Sequence, residues 1–241
     1  MFESVILLTG PGERPILSTR LAAFRPDLRI IPANSRADLL AIDASILTRS
    51  RLIAFTTSVI VPPEVLVGLG HGAYNFHPGP PEYPGLSPAQ FAIYDGARSF
   101  GATVHRMAQQ VDAGPIIAVS RFEVPQGATL TDLETAAFQK LARLFWDLSS
   151  LLAIDGSPLP ELAIEWGRQR STRISTAAMC AIPTDIDPSE LRRRVAAFAK
   201  SPYGLSPTVT LHGYRFRLEL DEEADDAAMA RTENTAVPSA A

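Results

Sequence analysis

Residues Arg51–His77 read RLIAFTTSVIVPPEVLVGLGHGAYNFH, and their pattern carries most of the fold. An apolar run, RLIAFTTSVIV, has the composition of a buried strand. Pro62 and Pro63 can open a short helix, PPEVLVGL, because proline is tolerated where the first helical N–H groups have no partner. Glycines at 68, 70 and 72 then break the chain before a further strand, AYNFH. Strand, helix, strand is the unit of a parallel sheet.

The same rhythm extends toward the N-terminus. SVILLTG (Ser4–Gly10) reads as a strand, RPILSTRLAAF as a helix, LRIIPA as a strand and RADLLAIDASIL as one helix. The expected class is α/β, a doubly wound, mostly parallel Rossmann-like sheet. In such sheets ligands bind beyond the carboxyl ends of strands, where the AYNFH strand ends. Asn75 and His77 are two apart, so on a strand they share a face while Phe76 points into the core. An amide N–H can meet a developing oxyanion and an imidazole can move a proton near neutral pH. The loop that follows, PGPPEYPG, is stiffened by its prolines. Further on, a strand from Gly101 to Met107, a loop AQQVDAGP and a strand from Ile116 to Val124 place Asp112 in a glycine-containing turn. A carboxylate there can orient an imidazole and stabilise its cation.

Composition narrows the chemistry. The chain has 241 residues, is 46% hydrophobic and carries a net charge of −4, so it can bury a sizeable core and offers no basic field for nucleic acid. Its single cysteine, Cys180, forms no intramolecular disulfide or cysteine-built zinc site, and fits a cytoplasmic location. The N-terminus has no basic leader, and no apolar run approaches a membrane span. GPGERP, at Gly10–Pro15, starts like a dinucleotide fingerprint but has Pro15 at the third glycine position, so NAD is not expected. No metal-spaced cluster appears, and no metal is expected.

Asn75-x-His77, a Pro-rich loop ending at Gly85, the helix SPAQFAIYDGA, then Gly101-x-Thr103-Val104-His105 and Asp112-x-Gly114-Pro115-Ile116 resemble the folate-dependent formyltransferases. That family includes glycinamide ribonucleotide, methionyl-tRNA and sugar N-formyltransferases. The resemblance implies that Asn75, His77 and Asp112 are catalytic and that 10-formyltetrahydrofolate is the cosubstrate. Contacts to folate would come from Thr56, Thr57, Val59, Ala108, Gln110 and Gly114. The loop is one residue shorter than the common family pattern, and Glu82, Tyr83 and Gly85 are candidates for touching the acceptor. His105 reads as a structural or secondary-pocket residue, His71 as an exposed turn residue, and Met107 as core.

The expected organisation is a catalytic domain over 1–156, a small C-terminal α+β subdomain over 157–220 and a disordered acidic tail over 221–241. A long amphipathic helix capped near Thr131 closes the first part. In the second, PSELRRRVAAFA is expected as a helix and PTVTLHGYRFRLEL as a hairpin about His212-Gly213. The expected function is formyl transfer to the amine of a small molecule, an amino sugar nucleotide or amino-acid derivative, with tRNA disfavoured by charge. The alternatives are a 10-formyltetrahydrofolate hydrolase, disfavoured because the first strand begins at Ser4, and a catalytically silent folate-binding protein. Oligomeric state stays open.

Overall fold

A computed structural model describes residues 1–200 and 204–219. The expected acidic tail, 221–241, lies outside the described residues. A six-stranded sheet has the order β2-β1-β3-β4-β5-β6. Its strands are β1 (Ser4–Leu8), β2 (Arg29–Ala33), β3 (Ser50–Phe55), β4 (Ala73–His77), β5 (Ser99–Arg106) and β6 (Ile116–Glu123). The first four run parallel, and β5 and β6 join antiparallel. Every residue of β1 and β3 is buried, as an interior parallel strand covered on both faces requires.

Helices cover both faces. On one, α1 (Arg14–Phe24) and α6 (Leu130–Ile154) supply Leu17, Leu21, Leu141 and Phe145 to a cluster with Val5, Leu7, Phe55 and Phe76. On the other, Leu39 of α2 (Arg36–Leu40), Leu47 of α3 (Ala44–Leu47) and Val65 of α4 (Pro63–Gly68) pack on Ile6, Leu8, Leu52 and Ala54. A further helix, α5 (Pro88–Asp95), leads into β5.

Three expectations change in detail. RADLLAIDASIL is two short helices, because Ser35 and Asp38 form a capping box for the first while Asp43 accepts from the Ser45 N–H and starts another. The run RLIAFTTSVIV stops being strand at Phe55, because Thr56 takes a left-handed φ of 46° and turns the chain. The cap of α6 is Thr129, not Thr131, since Thr129 and Asp132 satisfy each other's backbone N–H groups.

Arg51 is fully buried at the start of β3. Its guanidinium donates to the carbonyl oxygens of His71, Leu151, Leu152 and Ser157, at 2.7 to 3.2 Å. It thus ties β3 to the carboxyl end of α6, where helix carbonyls lack partners and the dipole favours a cation. His71 is half-buried rather than exposed: its Nδ1 lies 2.8 Å from the Gly156 carbonyl and its ring packs on Phe2.

The first compact unit runs to Arg173, past the boundary expected after residue 156. Leu159 belongs to the main core, and the Leu162 N–H donates to the Ile116 carbonyl, so this strap is part of the unit. The second unit begins at Ile174. It contains α7 (Arg173–Cys180, entered from the strap), α8 (Pro188–Phe198) and a three-stranded sheet of β7 (Ala181–Ile182), β8 (Thr208–Leu211) and β9 (Tyr214–Arg217). The hairpin β8–β9 turns at His212 (φ 50°) and Gly213 (φ 85°), as a tight primed turn demands. Among the described residues no helix is long and apolar enough to cross a membrane.

Candidate active site

Parallel pairing of β3 with β4 and antiparallel pairing of β4 with β5 bring the polar residues together at the carboxyl end of β4. Asn75 lies opposite His105 in this register, and His77 opposite Thr103. Phe76 faces the core, as strand alternation requires. The Asp112 turn then returns between β5 and β6 to the same place.

Asp112 is buried, with a left-handed φ of 44°, a conformation that Asp tolerates better than most residues. Its Oδ1 lies 3.1 Å from His105 Nε2 and accepts from Asn75 Nδ2 at 3.3 Å. Its Oδ2 accepts from the Gly85 N–H at 2.8 Å and lies 3.4 Å from His77 Nδ1. Gly85 has a φ of 97°, and a Cβ there would meet the Ser171 carbonyl oxygen at 2.1 Å, so only glycine brings this N–H to the carboxylate.

Each imidazole is also held by a carbonyl. His77 Nε2 lies 3.0 Å from the Tyr83 oxygen, and His105 Nδ1 lies 3.0 Å from the Arg106 oxygen. A carbonyl only accepts, so those nitrogens carry hydrogens. His105 Nε2, 3.1 Å from Asn75 Nδ2, can accept from the amide when the ring is neutral and donates to Asp112 when it is an imidazolium. The cluster therefore has a defined place for one additional proton. Burial pushes the His77 pKa below its ordinary value, against the upward pull of Asp112. Burial alone would raise the Asp112 pKa, but His77, His105 and the Gly85 N–H together hold it below the usual carboxylate range. The cluster thus favours the ionised form of Asp112, while burial disfavours the charged form of His77.

An open cleft beside the cluster is lined by Asn75, His105 and Asp112, with Thr57, Val59, Ala108 and Gln110 among its other walls. Val61, Leu66, Met107 and Val111 make much of the remaining lining apolar. Thr56 and Gly114, both expected to contact a cofactor, do not line it: Thr56 forms the turn after β3, and the Gly114 carbonyl accepts from the Trp166 Nε1–H at 2.8 Å. Met107, expected as core, packs against the core and also forms part of the wall. His77 does not line the cleft; its Nε2 is on the Tyr83 carbonyl. Glu82, Tyr83 and Gly85 do not line the cleft; the Tyr83 carbonyl and the Gly85 N–H hold the cluster, while Glu82 lies on the surface. Glu82 accepts both guanidinium bonds of Arg121 at 2.9 and 2.7 Å. The Tyr83 ring packs on Phe100, and its hydroxyl pKa is pushed up to about 12 by burial and by Asp95.

His105, expected as a structural or secondary-pocket residue, stands on the cleft wall with its Nε2 on Asp112. The available signal was its position on β5, antiparallel to β4, which can place Thr-Val-His105 beside Asn75. Sequence reasoning missed Trp166 and Arg170, because their contacts come from a strap with no periodic pattern.

Fold and site thus describe an α/β protein with an Asn/His/His/Asp cluster at strand carboxyl ends. The formyl transferase family profile matches residues 52–145, which contain all four. A methionyl-tRNA formyltransferase of Listeria welshimeri is 28% identical over 140 residues, 58% of this chain and 42% of that protein. The chain therefore spans less than half the length of that relative. The structure of a sugar N-formyltransferase from Shewanella sp FDAARGOS_354 superposes with a TM-score of 0.73 at 16% identity, covering 90% of this chain and 97% of the other. An N-formyltransferase from Helicobacter canadensis, in complex with folinic acid and dTDP-3-aminofucose, gives a TM-score of 0.62 at 15% identity, covering 88% and 85%. These likenesses bear out the expected family and fold class.

Proposed function

We propose that the protein transfers a formyl group from 10-formyltetrahydrofolate to the amine of a small molecule. The observation that carries this reading is the meeting of Asn75, His105 and Asp112 on the wall of one cleft, with His77 on the same carboxylate. The residues present suit a folate: an apolar wall of Val59, Val61, Leu66 and Met107 can take a flat ring, and the Ala108–Val111 backbone runs along it. The folate family carries the formyl group on nitrogen; transfer exchanges that carbon–nitrogen bond for one to the acceptor amine, whose displaced proton ends on the donor nitrogen.

Each residue has a distinct task. Asn75 offers an N–H to the oxygen that becomes negative as the amine adds, the interaction that separates transition state from ground state. Asp112 stays ionised and draws the imidazoles into place. His105 is the imidazole on the cleft wall. For His77 to exchange a proton with substrate, its Nε2 must give up the Tyr83 carbonyl. No covalent enzyme intermediate is needed.

The acceptor is a small amine rather than tRNA. The chain's net charge of −4 offers no basic platform, and the Helicobacter canadensis protein of the same fold is seen with an amino sugar nucleotide. The test is incubation with 10-formyltetrahydrofolate and a panel of amino sugar nucleotides and amino acids, following tetrahydrofolate release and product mass. Formylated amine supports the reading. Release of formate without formylated amine would mean hydrolysis, and no turnover would leave only folate binding.

A further inference from the structure

The strap from Leu159 to Ser171 is mostly exposed, yet it touches two loops of the site, the proline-rich loop and the Asp112 turn. Gly167 donates its N–H to the Pro81 carbonyl at 2.8 Å, and Ser171 donates to Pro84 at 2.9 Å while accepting from Leu86 at 3.0 Å. Arg170 Nη2 donates to the Asp112 main-chain oxygen at 3.0 Å. Trp166, in its middle, is half-buried. Its ring meets His105 edge-on, with centroids 5.0 Å apart at 89°, and His77 at 5.9 Å and 73°. Its N–H holds the Gly114 carbonyl, two residues past Asp112. Trp166 does not line the cleft.

We propose that Trp166 is a positioning residue of the active site: it packs against both imidazoles and, through Gly114, pins the turn that presents Asp112 to them. A single side chain thereby fixes two rings and their carboxylate. An aromatic edge offers no hydrogen-bond partner, so it keeps water from that side of both rings. The charged and titratable groups facing the imidazoles are Asp112 from the β5–β6 turn, each imidazole itself, and Arg170 of the strap, which reaches the Asp112 backbone. Tyr83 presents only its carbonyl.

The inference rests on the formyl-transfer reading for its kinetic consequence, but not for its structural one, and the test separates them. Histidine ring signals of the full chain are followed by NMR across pH, with His77 and His105 assigned through His77→Gln and His105→Gln. Trp166→Leu admits water to the rings, so the His77 midpoint rises by about half a unit or more. Turnover falls by about tenfold while folate affinity changes by less than about twofold. Trp166→Phe keeps a ring but loses the N–H, so the Gly85 amide that donates to Asp112 exchanges with solvent about tenfold faster. Should Trp166→Leu fail to fold, Trp166→Phe decides alone. Folded variants with wild-type histidine midpoints and wild-type Gly85 exchange would overturn the proposal. If the wild-type protein transfers no formyl group but the midpoints and exchange move as stated, the positioning role stands and the assigned reaction falls.

Discussion

Two buried charges sit at opposite ends of the parallel strands. Arg51, at the amino end of β3, meets four carbonyls and no carboxylate, and its guanidinium stacks on Phe2 and Tyr74, each 5.2 Å away. Asp112, beyond the carboxyl end of β4, is surrounded by donors that have other claims: Asn75 is shared with His105, and each imidazole is shared with a backbone oxygen. The first cluster has one hydrogen-bonding arrangement, whereas the second admits more than one as protons move. A cluster of the first kind stabilises a fold; one of the second kind can do chemistry. Removing groups from each should therefore produce separable losses.

The largest effect is expected at the site. Asp112→Asn keeps the shape but removes the negative charge, and should lower turnover by about 10³-fold, with a loss of melting temperature as well because the depressed pKa makes the ionised carboxylate stabilising. His77→Gln combined with Asp112→Asn should be little worse than Asp112→Asn alone, because residues acting as a unit are not additive. Independent multiplication of the two losses, in steady-state kinetics, would break the unit.

Next comes the structural cluster. Arg51→Met leaves carbonyls at the end of α6 without donors and should lower unfolding free energy by about 3 kcal/mol, read by chemical denaturation. Activity per folded molecule should stay within about twofold, as expected for a distant site. A selective loss of activity would show that the two ends are coupled.

A smaller effect is expected from pH. The folded-state pKa of His77 lies below its unfolded value, so beneath about pH 6.5 the unfolded chain binds the extra proton and stability falls until pH reaches the lowered folded pKa. Asp112 adds a second loss: its stabilisation is present above about pH 3.9 and disappears as pH falls through its own depressed value. His77→Gln should flatten the first limb in melting temperatures taken from pH 8 to 5. An unchanged limb would mean another group carries it. The smallest effect belongs to Glu82→Gln at the exposed Glu82–Arg121 pair, with turnover and stability close to wild type.

Much of this arrangement was legible in the residues, and what was not has local causes. The strands SVILL and AYNFH and the helix RPILSTRLAAF stand where their apolar runs and proline placed them, because they pack on one continuous core. Asn75, His77 and Asp112 converge as spacing and resemblance suggested. The end of β3 was misjudged, since the run after Phe55 stays rich in β-branched residues and only the left-handed Thr56 turns it into a cleft wall. That His105 lies opposite Asn75 and reaches Asp112 was not legible, because pairing register is a tertiary property. Trp166 was invisible for a related reason: it reaches the histidines from a strap whose course is set by backbone bonds to the proline-rich loop.

The central claim is that the cluster beside the cleft stabilises a transition state rather than merely holding a ligand, and Asn75 tests it most directly. Asn75→Ala should be compared with wild type in single-turnover formyl transfer and in equilibrium binding of tetrahydrofolate. The account predicts a loss of about 10²-fold or more in the rate of transfer with folate affinity changed less than about threefold. A variant that binds folate much more weakly but, once saturated, transfers at the wild-type rate would contradict it.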